Sequence, residues 1–156
     1  MLFYEFLDFK TNLVDFPQKI IGLDVGDKTI GVAISDAMGI SATPTCVIKR
    51  TNISKDTSEI MNLIQDHQTK SIVVGYPINM DGSEGERCEI TAKFASHLSE
   101  YIAQPILMWD ERLSTAAVER TLISADVSRA KRKKVIDKMA ACFILQGVLD
   151  RFAIGG

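Results

Sequence analysis

The sequence predicts an α/β fold: one mixed sheet with an antiparallel edge, and helices packed against it. Three observations lead there. Two short apolar runs, "IIGLDV" and "TIGVAIS", are separated only by Gly26, Asp27 and Lys28, the spacing of a β-hairpin. "SIVVG" is a continuous apolar run of the kind found where both faces of a parallel strand are buried. Beyond it, segments of helical period alternate with strand-like ones, the pattern of crossovers returning to the same sheet. The chain has 156 residues, 46% of them hydrophobic, the size of one domain, and neither an internal repeat nor a low-complexity linker divides it.

Residues 1–19 read as an extension, 20–151 as the single domain and 152–156 as a C-terminal tail. In the extension Leu2, Phe6, Phe9, Leu13 and Phe16 recur at helical spacing, and Pro17 would close that helix. Its apolar side would dock on the body of the protein or on a second copy. Glu5, Asp8 and Lys10 interrupt it before a signal-peptide apolar region forms, and its scarcity of Lys and Arg argues against a membrane-surface helix. After the hairpin, "TCVIK" is the third strand. Residues 54–67 place Ile60, Leu63, Ile64 and His67 in helical phase, with Ser54 as the cap, and should cover one face of the sheet. "YPINMDGSEGE" is loop, punctuated by Pro77, Gly82 and Gly85. A helix over about 86–102 turns Ile90, Phe94, Ala95 and Leu98 inward, and "PILMW" is a strand running into Asp110, Glu111 and Arg112. Two helices follow, near 115–124 and over 129–151, the second capped by Ser128.

Composition excludes several classes. A net charge of -2 rules out a polyanion-binding surface spread over the whole molecule, so any contact with nucleic acid is local. Cys46, Cys88 and Cys142 are far apart and lack metal-ligand spacing, which suggests neither a zinc site nor a disulfide framework and suits a reducing cytoplasm. No stretch approaches transmembrane length.

The informative residues are carboxylates at the ends of apolar elements. Asp24 interrupts the first strand, Asp110 and Glu111 end the last, and Asp137 shares a helical face with Ala140, Ala141, Ile144 and Val148. Taken singly, Asp24 reads as a turn residue before Gly26, and Asp110 and Glu111 as a solvated strand end paired with Arg112. Asp137 resists such a reading. An exposed helix pair with Lys133 or Lys134 contributes only about 0.3 to 0.5 kcal/mol, too little to set a carboxylate in an apolar stripe. Small residues at Ala140 and Ala141 let this helix approach the sheet closely. Carboxylates gathered at one sheet end repel one another unless a divalent ion lies between them, and Mg²⁺ favours such oxygens. Alternation along the strand puts Asp110 and Glu111 on opposite faces, so one of them alone can join Asp24.

Cations supply a second signal. Arg129, Lys131, Arg132, Lys133 and Lys134 crowd the start of the last helix, the electrostatically unfavourable end for positive charge, and a polyanionic ligand explains them better than helix stability does. Arg87, after the glycines of "NMDGSEGER", is a further candidate phosphate contact. His67 and His97 read as surface or packing residues, and Trp109 as core.

Four stretches, "GLDVGDKTIGVAIS", "VVGYPINMDGSEGER", "DERLSTAAVER" and "SRAKRKKVIDKMAACFILQGVLD", resemble the YqgF family, described as Holliday-junction-resolvase-like proteins and candidate nucleases of pre-16S ribosomal RNA. Their order is the family's, and together they span nearly all of residues 20–151. The resemblance implies an RNase H-like fold with a five-stranded mixed sheet in order 3-2-1-4-5 and helices on both faces. It carries the family's acidic residues onto Asp24 in "LDVG", Glu111 in "DER" and Asp137 in "VIDK", with Asp110 the alternative to Glu111. It further implies Mg²⁺ or Mn²⁺ on those carboxylates, ideally two ions about 3.5 to 4 Å apart. Lys28, Arg87 and the basic helix start would hold the phosphodiester backbone of structured RNA or branched DNA. Ribosomal precursor particles would be among the partners of this cytoplasmic monomer or homodimer. Two departures stand out: Glu86 precedes Arg87 where many relatives have proline, and the residues before Lys19 match nothing in the pattern. Two other classes stay open. "GLDVGDKTIGVA" also resembles the first phosphate loop of the actin, sugar-kinase and heat-shock ATPases, which duplicate the fold beyond the capacity of 156 residues. A non-catalytic RNA-binding factor of ribosome assembly or transcription would use the basic helix start and keep the acids for structure.

Overall fold

Apolar runs buried on both faces form a six-stranded mixed sheet in the computed structural model, which describes residues 1–113 and 129–155, the side chains of 113, 129–137 and 155 excepted. The strands are β1 (Leu2–Phe3), β2 (Ile20–Val25), β3 (Thr29–Ser35), β4 (Ala42–Lys49), β5 (Ser71–Tyr76) and β6 (Ile106–Asp110), in the order β1-β6-β5-β2-β3-β4. Counted from β2, five of them follow the expected 3-2-1-4-5 order. β2 and β3 form the antiparallel hairpin, closed by the Gly26 N–H donating to the Thr29 carbonyl at 2.8 Å. β2, β5 and β6 run parallel.

β1 corrects the expected helix from Leu2. It pairs parallel with β6 through Leu2↔Ile106 and Phe3↔Leu107, and the Ile106 N–H donates to the Met1 carbonyl at 2.8 Å. The backbone groups along the free side of β6 need partners. Two successive apolar residues supply them, Leu2 joining the core on one face of the sheet and Phe3 the core on the other. Helical period takes over only at α1 (Phe6–Thr11).

Strand alternation divides the interior in two. Ile21, Leu23 and Val25 face α2 (Ile53–His67) and α3 (Glu86–Tyr101), where Ile60, Ile64, Phe94, Ala95 and Leu98 are buried. Ile20, Val73, Leu107 and Trp109 face the other way, onto Ala141, Ile144, Leu145 and Val148 of α4 (Arg129–Gly155). The cap of α2 is Asn52 rather than Ser54: its side chain accepts the Lys55 N–H at 3.0 Å, and Ser54 lies inside the first turn. The expected helix near 115–124 and the Ser128 cap fall outside the described residues.

Residues 152–155 do not form a loose tail, since α4 continues through Gly155. Phe152 is buried and anchors that end, stacked on Phe16 at 4.3 Å between centroids and edge-on to Phe6 at 4.8 Å. The extension therefore docks on the body of the protein, with Phe9 fully buried. No helix among the described residues is long and apolar enough to cross a membrane.

The small-residue argument for α4 holds. A Cβ on Gly22 would lie 2.8 Å from Leu145 Cβ and 3.2 Å from the Ala141 carbonyl oxygen, so the helix lies directly against the backbone of β2. Its direction follows from its contacts with β4. Gln146 Oε1 accepts the Ala42 N–H at 2.9 Å and Cys142 Sγ donates to the Ala42 carbonyl at 3.3 Å, whereas Lys138 acts electrostatically on Cys46, further along the strand. β4 runs in the same sense as β2, both being antiparallel to β3. α4 is thus antiparallel to β2, and its first turns lie toward the Val25 end.

Candidate active site at the carboxyl ends of the parallel strands

Three parallel strands ending on the same side place Asp24, Gly75 and Asp110–Glu111 along one edge. Asp24 shares a face with Gly22, the face covered by α4. The β2–β5 register, with Leu23 opposite Val74, continues to set Asp24 level with Gly75, and Gly75 pairs with Trp109.

Gly75 is what allows two carboxylates to approach. Glu111 starts two strands away from Asp24, about 10 Å at a strand spacing of about 4.8 Å. A Cβ on Gly75 would lie 2.7 Å from Glu111 Oε1 and 2.5 Å from Ile144 Cδ1. The Glu111 carboxylate therefore lies across the bare backbone of β5, toward Asp24, beneath α4.

The two neighbouring acids differ in their surroundings. Asp110 takes the opposite face, as alternation predicts, and Arg112 engages it: Nη2 donates at 2.8 Å, Nε at 3.1 Å to each oxygen, and the Arg112 N–H at 2.9 Å. These bonds hold the Asp110 carboxyl below the usual carboxylate range. Arg112 Nη1 also reaches the Asn79 carbonyl at 3.5 Å, tying this strand end to the glycine-rich loop.

That loop is a tight turn, with Gly82 at φ +88°, its N–H donating to the Asn79 carbonyl at 2.8 Å, and the Asn79 N–H donating to the Ser83 carbonyl at 2.9 Å. Glu86 opens α3, with Gly85 as the cap. Arg87 follows, its Nη2 3.7 Å from Asp24 Oδ1. A recess of about 250 Å³ lies beside it, lined by Val25, Gly26, Asp27, Glu86, Arg87 and Ile90. Lys28 is exposed in the hairpin turn at the same end of the sheet.

Asp137 lies on α4 one turn before Ala141, and Ala140, Ala141, Ile144 and Val148, which share its face, are all buried. Its side chain, with those of Arg129, Lys131, Arg132, Lys133 and Lys134, lies outside the described set. Among the described residues no three His, Cys, Asp or Glu side chains gather as a ligand set. His97 is a packing residue, its Nδ1 3.0 Å from Thr57 Oγ1 and its ring against Tyr101. Trp109 is core, edge-on to Phe6.

Two residues that periodicity did not reveal support the site from below. Arg50 donates from Nη1 to the Gly26 carbonyl at 2.8 Å and from Nε to Asp56 Oδ2 at 3.1 Å, with its guanidinium over the Phe94 ring. Asp56, 1% exposed, also accepts the Thr51 N–H at 3.1 Å. The turn that follows Asp24 is thereby fixed to the start of α2. The sequence signal was an acid in the first turn of a helix just after a basic residue, which is too common a pattern to single out.

Residues 18–151 match the model of the RuvX family, described as Holliday junction resolvase. A Methylocella silvestris protein named "Putative pre-16S rRNA nuclease" is 51% identical over 134 residues, covering 86% of this chain and 83% of its own. A Desulforamulus reducens protein of the same name is 54% identical over 132 residues, covering 85% of this chain and 96% of its own. Among solved structures, Thermus thermophilus RuvC in complex with a Holliday junction substrate aligns at a TM-score of 0.58 and 9% identity, over 88% of this chain and 97% of that one. The yeast mitochondrial Holliday junction resolvase Ydc2 aligns at 0.52 and 13% identity, over 95% and 84%. At such identities the likeness to solved structures is one of fold.

Proposed function

Since the chain belongs to the RuvX family and has an RNase H-like fold, we propose that it is a metal-dependent nuclease acting in 5′-end maturation of pre-16S ribosomal RNA in the cytoplasm. The observation that carries this reading is the Glu111 carboxylate lying across Gly75 on the face of the sheet that also bears Asp24. Two hard oxygen donors on one face under a close-packed helix suit Mg²⁺ or Mn²⁺ in preference to softer metals. Asp24, Glu111 and Asp137 would hold the metal. Bound there, it supplies Lewis acidity for activating water and stabilising the leaving oxygen of a phosphodiester.

The remaining work belongs to side chains that bind and orient. Arg87 and Lys28 offer cations to non-bridging phosphate oxygens beside the acidic edge, and Arg129, Lys131, Arg132, Lys133 and Lys134, which the sequence places in the first turns of α4, would add further positive charge. Contacts of this kind grip the backbone without reading bases, so substrate choice rests on shape, as it does for structured RNA. The Arg50–Asp56 pair holds the Gly26 turn, and with it the backbone on which Asp24 is carried.

The test is cleavage of an end-labelled RNA bearing the immature 5′ end of 16S ribosomal RNA, in Mg²⁺, in Mn²⁺ and in chelator. The expected result is metal-dependent cleavage that falls about 100-fold or more in Asp24→Asn and Asp137→Asn. Product lengths distinguish endonuclease from exonuclease, and a four-way DNA junction assayed in parallel distinguishes RNA processing from junction resolution. RNA bound but left intact, with metal and Asp137 making no difference, would instead identify a non-catalytic assembly factor.

A further inference from the structure

Arg87 stands where its helix gives it no electrostatic support. It is the second residue of α3, whose first turn otherwise carries Glu86 and Glu89, the sign of charge that a helix N-terminus favours. The group that rewards a cation at this position is Asp24, with Oδ1 3.7 Å from Arg87 Nη2. The pair is lopsided: the Asp24 side chain is 12% exposed and that of Arg87 53%. At this separation the two attract by charge without a directed hydrogen bond, and the open recess along Val25, Gly26 and Ile90 leaves the guanidinium room to move.

We propose that Arg87 is a resident counter-ion of Asp24 in the nucleic-acid-free protein, occupying a charge position that a divalent cation takes when substrate arrives, and that it then transfers to the phosphate entering with that cation. The proposal rests on the metal-dependent reading above. Arg87 thus opposes metal binding to the free protein, and a phosphodiester relieves that opposition by drawing the guanidinium away from Asp24. Metal and nucleic acid consequently bind with positive coupling, and by linkage each tightens the other by the same factor. Arginine suits the exchange because it keeps its charge throughout and its fork of donors fits phosphate as well as carboxylate.

The experiment is a Mn²⁺ titration of the full chain, with the free ion read by electron paramagnetic resonance, with and without a cleavage-resistant phosphorothioate RNA hairpin. Without RNA, Arg87→Gln is expected to bind Mn²⁺ about 2- to 5-fold more tightly than wild type, the range for a partly exposed ion pair. RNA should tighten Mn²⁺ binding in wild type and have less effect in the variant. Lys93→Gln, which removes an exposed charge further along the same helix, should leave the affinity unchanged. Equal affinities for wild type and Arg87→Gln, or an equal gain from Lys93→Gln, overturn the proposal. A wild-type protein that takes up no Mn²⁺ with or without RNA overturns the metal reading itself.

Discussion

Gly75 shows how much a site can depend on a residue that carries no chemistry. Its missing side chain is the space into which the Glu111 carboxylate and the Ile144 methyl project from two directions. Gly75→Ala should therefore cost about 1 to 3 kcal/mol from overpacking and displace Glu111 from its place across Gly75. The two effects are separable. Adding Ile144→Val removes the nearer clash, so the urea midpoint should recover substantially in the double variant while cleavage and Mn²⁺ binding stay depressed; recovery of both together would show that Glu111 needs no space at Gly75. In the sequence, Gly75 appeared only as the end of an apolar run. That Asp110 and Glu111 take opposite faces was legible because strand period is two and needs no tertiary information, but which of them joins Asp24 stayed open on that ground, and Glu111 was favoured by the family resemblance alone. That a glycine on the strand next to Asp110 would clear the path was not legible, because register between β5 and β6 is set by partners distant in the chain.

At the scale of elements, long periodic segments were the legible ones: the residues forming β2, β3, β5, α2 and α3 are recognisable from burial pattern alone. What escaped was whatever depends on a specific hydrogen bond. Asn52 displaced Ser54 as the cap because the helix starts two residues earlier than a Ser54 cap requires, a difference that hydrophobic period cannot resolve. The Arg50–Asp56 pair joins the end of β4, the hairpin turn and the first turn of α2 through contacts that no pattern announces. Asp56→Ala should leave Arg50 largely buried without its carboxylate, at a cost of about 3 kcal/mol, the lower end for a broken buried pair because Arg50 keeps some solvent. Urea unfolding measures that loss, and hydrogen exchange should show faster opening at the Gly26 amide than at the centre of β5. A variant as stable as wild type, with Gly26 equally protected, would mean that the turn holds itself.

Over the whole molecule, the direction of α4 decides where function can lie. Running antiparallel to β2, it brings its basic first turns to the carboxyl ends of the parallel strands and sends its last turns to the opposite side, where the extension receives them. That extension lies almost wholly ahead of the stretch shared with the family, which begins at residue 18. It was legible as apolar and as docking, but its strand was not, because two residues carry no period and β1 exists only through β6. Its removal is therefore a test of architecture. Deleting residues 1–17 would unpair the free edge of β6 and uncover Phe152, Leu107 and Trp109, which now pack with Phe3, Phe6 and Phe9. Loss of the fully buried Phe9 side chain alone should cost about 3 to 5 kcal/mol, the usual range for Phe→Ala in a core. The truncated chain should unfold at lower urea concentration and associate with rising concentration in light scattering, because an open strand edge beside exposed aromatic rings recruits another chain. Phe9→Ala in the full chain should share the loss of stability but not the association, since β1 still covers β6. If truncation leaves the unfolding midpoint unchanged and the protein does not associate, the extension is an appendage rather than the sixth strand of the working sheet.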